Sequence, residues 1–218
     1  MMEPSTTLSR FLEATVEALR EAVVEGNAPD GASARMVEDI LTKLPPSPAI
    51  ARPQPHTLLA ACRCMDEAFI ACPGDDTAAR PALAKLGNAL HGLEQHCCWQ
   101  QNPNYNAQNQ SPEFVNGQAY QAYLGPEGLA DSNGVAVFSM LLAPGVSYKE
   151  HAHPAEELYF ILSGTAQWKR GDEKWQDLGA GSLIHHPSNT IHATKTTSKP
   201  LLCLAFWTGN LKQRAKVI

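Results

Sequence analysis

The sequence predicts a mainly β chain, an antiparallel sandwich or barrel following an α-helical N-terminal part. Two observations carry this. Up to about residue 98 the apolar residues recur at three- and four-residue steps, whereas beyond Cys97 they fall in short runs separated by GPEG, APG, SG, RGDE, GAG and TSKP. The change coincides with Trp99 and the Asn/Gln-rich segment QQNPNYNAQNQ, which sets the boundary between a helical region, 1–98, and a β domain, 99–218.

Four helices are expected. The first carries Leu8, Phe11, Leu12, Val16, Leu19 and Val23 on one stripe, with Ser5, Thr6 or Thr7 able to cap its start and Gly26 to end it. A second runs from about Ser33 to Leu44, where Pro45 and Pro46 stop it, and PPSPAIARPQP serves as a connector. A third spans about His56 to Ala71 and closes at Pro73-Gly74; a fourth spans about Thr77 to His96. Strands are expected at Gln118–Leu124, Val135–Leu142, Leu158–Leu162, Ala166–Lys169, Lys174–Leu178, Ser182–His185, Ile191–Lys195 and Leu201–Trp207. The long polar loop before them is a possible gate. The helical part could cover one sheet, close the pocket mouth or form a homodimer contact.

Charge and composition exclude several classes of function. A net charge of −5 with no basic stripe argues against nucleic acid. No apolar run approaches the roughly 20 residues of a membrane span, and the N-terminus lacks a signal-peptide pattern, so a cytoplasmic protein without a membrane partner is expected. The six cysteines lack the paired CxxC spacing of a zinc site and are expected to be reduced thiols.

Chemistry concentrates in GVSYKEHAHPAEELYFILSG, residues 145 to 164. His151 and His153 are two apart and share a face of an extended segment, and Pro154 lets the chain bend to bring Glu157 to the same ion. His192 is the natural third imidazole. Such a His/Glu set suits one divalent transition metal, among Fe, Mn, Zn, Co and Ni, with positions open to a small-molecule substrate. His56, His91 and His96 are read as surface or packing residues. His185 and His186 point to opposite faces, so one can turn inward, but neither is expected to be a ligand.

These residues carry a resemblance. Gly145, His151, His153, Glu157 and Gly164 fall in the spacing G-x5-H-x-H-x3-E-x6-G, and Gly181, Pro187 and His192 in G-x5-P-x-G-x2-H-x3-N, the two cupin motifs. Asn189 stands where the second glycine is usual, which its tolerance of left-handed backbone makes mild, and Thr196 where the asparagine is usual. The resemblance, over about Gln118 to Gly209, implies a cupin (jelly-roll) β-barrel preceded by a helical bundle. The run His151, His153, Glu157, Tyr159, then His192, with Tyr148 and Trp207 flanking, is similar to the cupin-type dimethylsulfoniopropionate (DMSP) lyases. That resemblance implies β-elimination to dimethyl sulfide and acrylate, with the metal holding the substrate carboxylate. Tyr159 would then be the base, and Tyr148 and Trp207 would face the sulfonium. A cupin dioxygenase, or a small-acid-binding cupin without lyase activity, stands as the alternative.

Overall fold

The computed structural model describes residues 3–28, 31–72 and 80–218. The first two helices form where expected, as α1 (Pro4–Val24) and α2 (Gly31–Lys43). The fourth begins later, as α4 (Pro81–Glu94), with proline in its first turn, where the missing N–H costs no hydrogen bond. Its expected start at Thr77 and the Pro73-Gly74 stop lie outside the described residues.

The third expected helix is mostly absent. Only a 3-10 turn over Ala60–Cys64 and the short α3 (Met65–Ile70) form. Thr57 bridges to Cys98, accepting a bond from Trp99 N at 3.0 Å, so the segment before Ala60 is extended and Leu58 is left 53% exposed. A backbone partner far along the chain thus overrides the local stripe. A short helix that the sequence reading missed, α5 (Pro112–Gly117), leads into the sheets, capped by Ser111 Oγ accepting from Phe114 N at 3.3 Å.

Ten strands follow: β1 (Gln118–Leu124), β2 (Val135–Leu142), β3 (Ser147–Ala152), β4 (Glu156–Ser163), β5 (Thr165–Arg170), β6 (Gln176–Gly179), β7 (Leu183–His186), β8 (His192–Thr196), β9 (Leu201–Thr208) and β10 (Lys216–Val217). They divide between two antiparallel five-stranded sheets, ordered β1-β2-β9-β4-β7 and β10-β3-β8-β5-β6. The architecture is therefore mainly antiparallel β with helices. Hydrogen bonding among the described residues gives two sheets rather than one closed barrel.

The helical region before residue 98 lies against the first sheet, while Phe114 of α5 packs on Tyr148 of β3 in the second with ring centroids 4.9 Å apart. Phe11 of α1 packs on Tyr123 of β1 with ring centroids 4.8 Å apart, Ser163 Oγ at the end of β4 donates to Ala68 O of α3 at 2.7 Å, and Leu183 N of β7 donates to Asn27 O at 3.3 Å. One continuous apolar core accordingly contains Phe11, Leu19 and Leu90 together with Leu141, Phe160 and Phe206. Covering both faces of this sheet explains why its strands read as unbroken apolar runs, such as LLCLAFW. The second sheet has one face toward solvent, and β3 and β5 mix buried and exposed positions accordingly.

The motif residues set the turns. Asn189 has φ +60°, the one positive value among the described non-glycine residues, as its tolerance of that geometry predicts. Thr196 Oγ1, at the usual asparagine position, donates to Ala143 O at 2.7 Å and accepts from Val146 N at 2.9 Å, tying β8 to the turn before β3. Gly164, between β4 and β5, has φ +82°, and a Cβ there would lie 2.1 Å from Pro200 O. Gly164→Ala is expected to cost more than about 2 kcal/mol through strain and clash together, lowering Tm by at least ~4 °C in thermal unfolding.

Candidate metal centre

The inner face of the first sheet is fixed by register. Tyr120 pairs with Met140, Phe138 with Ala205, Trp207 with Glu157, and Glu157 with His186, so these side chains and those two residues along each strand share one side. The second sheet supplies His151 opposite His192. An irregularity in the β3–β8 register between Tyr148 and His151 lets residues three apart face the same way, and their rings stack at 3.8 Å and 7°.

Glu157 is the centre of the cluster. It is 1% exposed, and its Oε2 lies 3.1 Å from His153 Nε2, 3.2 Å from His192 Nε2 and 3.6 Å from His186 Nδ1. Its Oε1 accepts a hydrogen bond from Trp207 Nε1 at 2.6 Å, and the indole stacks on His153 at 4.3 Å. His153, Glu157 and His192 offer ligand atoms all within 4.8 Å of one another. His151 stands beside this trio, its ring 4.0 Å from that of His192 and 6.4 Å from that of His153.

The donor set fits a divalent metal. His151, His153 and His192 each place Nδ1 against a backbone carbonyl, of Lys149 at 2.8 Å, Ala155 at 3.0 Å and Thr190 at 2.8 Å. A carbonyl only accepts, so Nδ1 carries the proton in all three; Nε2 of His151 and His192 keeps its lone pair for a ligand, whereas His153 Nε2 donates to Glu157 Oε2 at 3.1 Å, a proton whose place a cation would take. The Nε2 of His192 and both ring nitrogens of His186 are buried with no hydrogen-bond partner, a costly arrangement in a protein interior that a bound cation would relieve.

Charge follows the same logic. Burial, then the neighbouring His192, holds His151 well below the ordinary histidine range, and the same two causes push His186 down to about 4. Both are neutral imidazoles, the form that binds metals. Burial opposes the charge on Glu157, yet His153, by charge and hydrogen bond, keeps the carboxyl well below its usual range. His153 is correspondingly raised, since Glu157 outweighs the burial that would lower it.

The other expected site residues border one cavity of about 90 Å³, lined by Tyr148, Glu157, Tyr159 and Trp207 among others. At about 10–15 Å³ per enclosed water position, that volume has room for a small organic ligand. Tyr159, 4% exposed, packs on Trp168 at 5.0 Å; burial and then Glu157 hold its phenol well above the ordinary value. Tyr148 gives one ring face to His151 and its hydroxyl to Tyr105, 2.5 Å away in the polar loop.

Two placements escaped sequence reasoning. His186, read there as outside the ligand set, faces Glu157 and stacks on His192 at 4.1 Å; the pairing of β7 with β4, which no local spacing reveals, puts it there. Tyr105 lines the cavity from the Asn/Gln-rich loop, which the sequence offered as a possible gate without singling out this residue. His185 turns the other way and pairs with Glu156 at 2.7 Å. His56 and His91 sit elsewhere, beside Glu94 and Phe69, and all six cysteines are free. Among the described residues no helix is long and apolar enough to cross a membrane.

Known proteins resemble this chain over half or more of its length. A curated DMSP lyase, DddQ of Ruegeria pomeroyi, is 33% identical over 108 residues, a stretch spanning 50% of this chain and 54% of that protein. The crystal structure of DMSP lyase DddQ from Ruegeria pomeroyi DSS-3 superposes with a TM-score of 0.65 at 25% identity, covering 92% of this chain and 96% of that one. A chain from the crystal structures of the DMSP lyases RdDddP and RnDddQII shares the fold at a TM-score of 0.76 and 24% identity, over 99% of this chain and 100% of that chain. The dimethylsulfoniopropionate lyase family model matches residues 32–203, most of the sequence, and the chain therefore belongs to that family.

Proposed function

We propose that this chain is a metal-dependent carbon–sulfur lyase that cleaves DMSP by β-elimination to dimethyl sulfide and acrylate. The observation that carries the reading is the placement of Tyr159 two residues beyond Glu157 on β4, on the same inner face, with both residues lining one small cavity and the histidines gathered around Glu157. His151, His153, Glu157 and His192 would hold the metal, with His186 beside them. A bound divalent cation supplies Lewis acidity at the substrate carboxylate, which makes the adjacent C–H more acidic.

The chain's own groups do the rest. Tyr159, as phenolate, takes the proton from the carbon next to the carboxylate; that C–H pair becomes the new C=C bond. The C–S pair leaves with sulfur, so neutral dimethyl sulfide departs with no acid needed. Because burial and Glu157 favour the phenol form of Tyr159, its service as base depends on positive charge at the cluster. Trp207 holds Glu157 through its indole N–H, and with Tyr148 forms an aromatic surface toward which a sulfonium is drawn. Purified protein given DMSP is expected to release dimethyl sulfide and acrylate in equal amounts without consuming oxygen, and to stop on chelation. Oxygen uptake, or no product with any divalent metal, would count against the lyase.

A further inference from the structure

Behind the histidine cluster lies a second cavity, of about 270 Å³, that the elimination chemistry does not use. It opens between β7 and β6, the strands that end the two sheets. Arg170 pairs with His192, Trp168 with Thr194 and Gln176, and Ala166 with Leu178, so Trp168, Arg170, Gln176 and Leu178 face inward with His192. They line this cavity from the second sheet, and Ile184 and His186 line it from β7. Arg170 spans the gap between the sheets, its Nη1 donating to His185 O at 3.0 Å.

One layer of side chains separates this rear cavity from the front one that Glu157 and Tyr159 line. Trp168 packs on Tyr159 at 5.0 Å, and His186 Nδ1 lies 3.6 Å from Glu157 Oε2. At the far end of the front cavity the charges are already matched: Glu127 accepts from the Tyr120 hydroxyl at 2.8 Å, and Arg214 lies 2.5 Å from Glu127 and 3.0 Å from that hydroxyl. The rear cavity differs. Trp168 Nε1 and both nitrogens of His186, on residues 3% and 1% exposed, have no hydrogen-bond partner. Orphaned polar atoms beside a cavity of this size are satisfied by water, which makes it an aqueous pocket reaching the back of the cluster.

His186 also differs from the other histidines of the cluster. His151, His153 and His192 are each aimed by a backbone carbonyl on Nδ1, whereas neither nitrogen of His186 is held. An imidazole fixed in orientation retains an ion. A neutral imidazole without an anchor takes an ion from water on one side and yields it to a carboxylate on the other.

We propose that the rear cavity is the route of metal exchange, and that His186 is a transit ligand on it, binding the ion between solvent and the set His151, His153, Glu157 and His192. This rests on the metal reading of the cluster and is independent of the elimination. It lets the ion be replaced while substrate or product occupies the front cavity.

Exchange kinetics test it on the full chain with Co²⁺, whose visible absorption reports both loading into metal-free protein and release to excess chelator. His186→Phe keeps a ring stacked on His192 and removes both nitrogens. Gln176→Trp enlarges an exposed side chain at the cavity mouth. Loading and release are expected to slow together, by about tenfold in His186→Phe and about threefold or more in Gln176→Trp, with Kd within about twofold of the wild type. The slowing is expected to persist, within about twofold, when 3-(trimethylammonio)propionate, the quaternary ammonium counterpart of DMSP, saturates the front cavity. Were His186 a permanent ligand, His186→Phe would weaken Kd and speed release. That outcome, unchanged rates in either variant, or a slowing that the front ligand abolishes would each overturn the proposal. A wild type that binds no Co²⁺ removes the metal centre and the route together; one that loads while the variants exchange at its rate removes the route alone.

Discussion

Tyr159→Phe is expected to cut dimethyl sulfide release by about 10²- to 10⁴-fold, the usual range for loss of a general base. The substitution removes one oxygen from a ring that is 4% exposed and packed on Trp168, so phenylalanine fills the same space. Metal content and affinity for 3-(trimethylammonio)propionate should stay within about twofold. Elemental analysis and calorimetry separate the base from a ligand or a packing residue. Turnover near that of the wild type would take the base assignment away from Tyr159, and loss of metal would make it part of the cation site instead.

The second large effect is expected at Glu157. Its carboxylate is the negative charge at the meeting point of His153, His186 and His192, so Glu157→Gln keeps the shape and removes the attraction for a cation. Bound metal per chain should fall to near zero, and dimethyl sulfide release by at least ~10³-fold, several kcal/mol of transition-state stabilisation. Unfolding gives an independent readout. Metal at a hundredfold excess over its Kd should stabilise the wild type by about 2.7 kcal/mol, or roughly 5–10 °C in Tm, and leave the variant unmoved. A variant that retains full metal would mean that the histidines alone make the site.

Much of the β region was legible because its signals are local. Val135–Leu142 and Leu201–Thr208 are apolar runs bounded by turn residues, and the turn glycines and Asn189 announce their left-handed backbone by identity. The histidine and glutamate spacing was legible for the same reason. The stretch from His56 to Ala71 was not, because Thr57 takes its hydrogen-bond partner from beyond residue 95, and periodicity cannot weigh a partner so distant. The wall opposite the histidines was hidden similarly. Tyr120 and Arg214 are 94 positions apart, and only sheet register and the course of the chain after β9 bring them together at Glu127. His186 shows the same limit at short range: its neighbour His185 has the same chemistry, and strand alternation decides which faces inward only once the pairing of β7 with β4 is known.

The three carbonyls that accept from the imidazole Nδ1 atoms belong to Lys149, Ala155 and Thr190, each two residues from the histidine it orients. They are main-chain atoms, and replacing the side chains that bear them leaves them in place. The aim of the imidazoles is therefore stored in the chain path and insulated from sequence drift around it. Walls such as Phe138, Met140 and Leu211 can be exchanged, by evolution or by an engineer, to admit a different small acid without re-aiming the imidazoles.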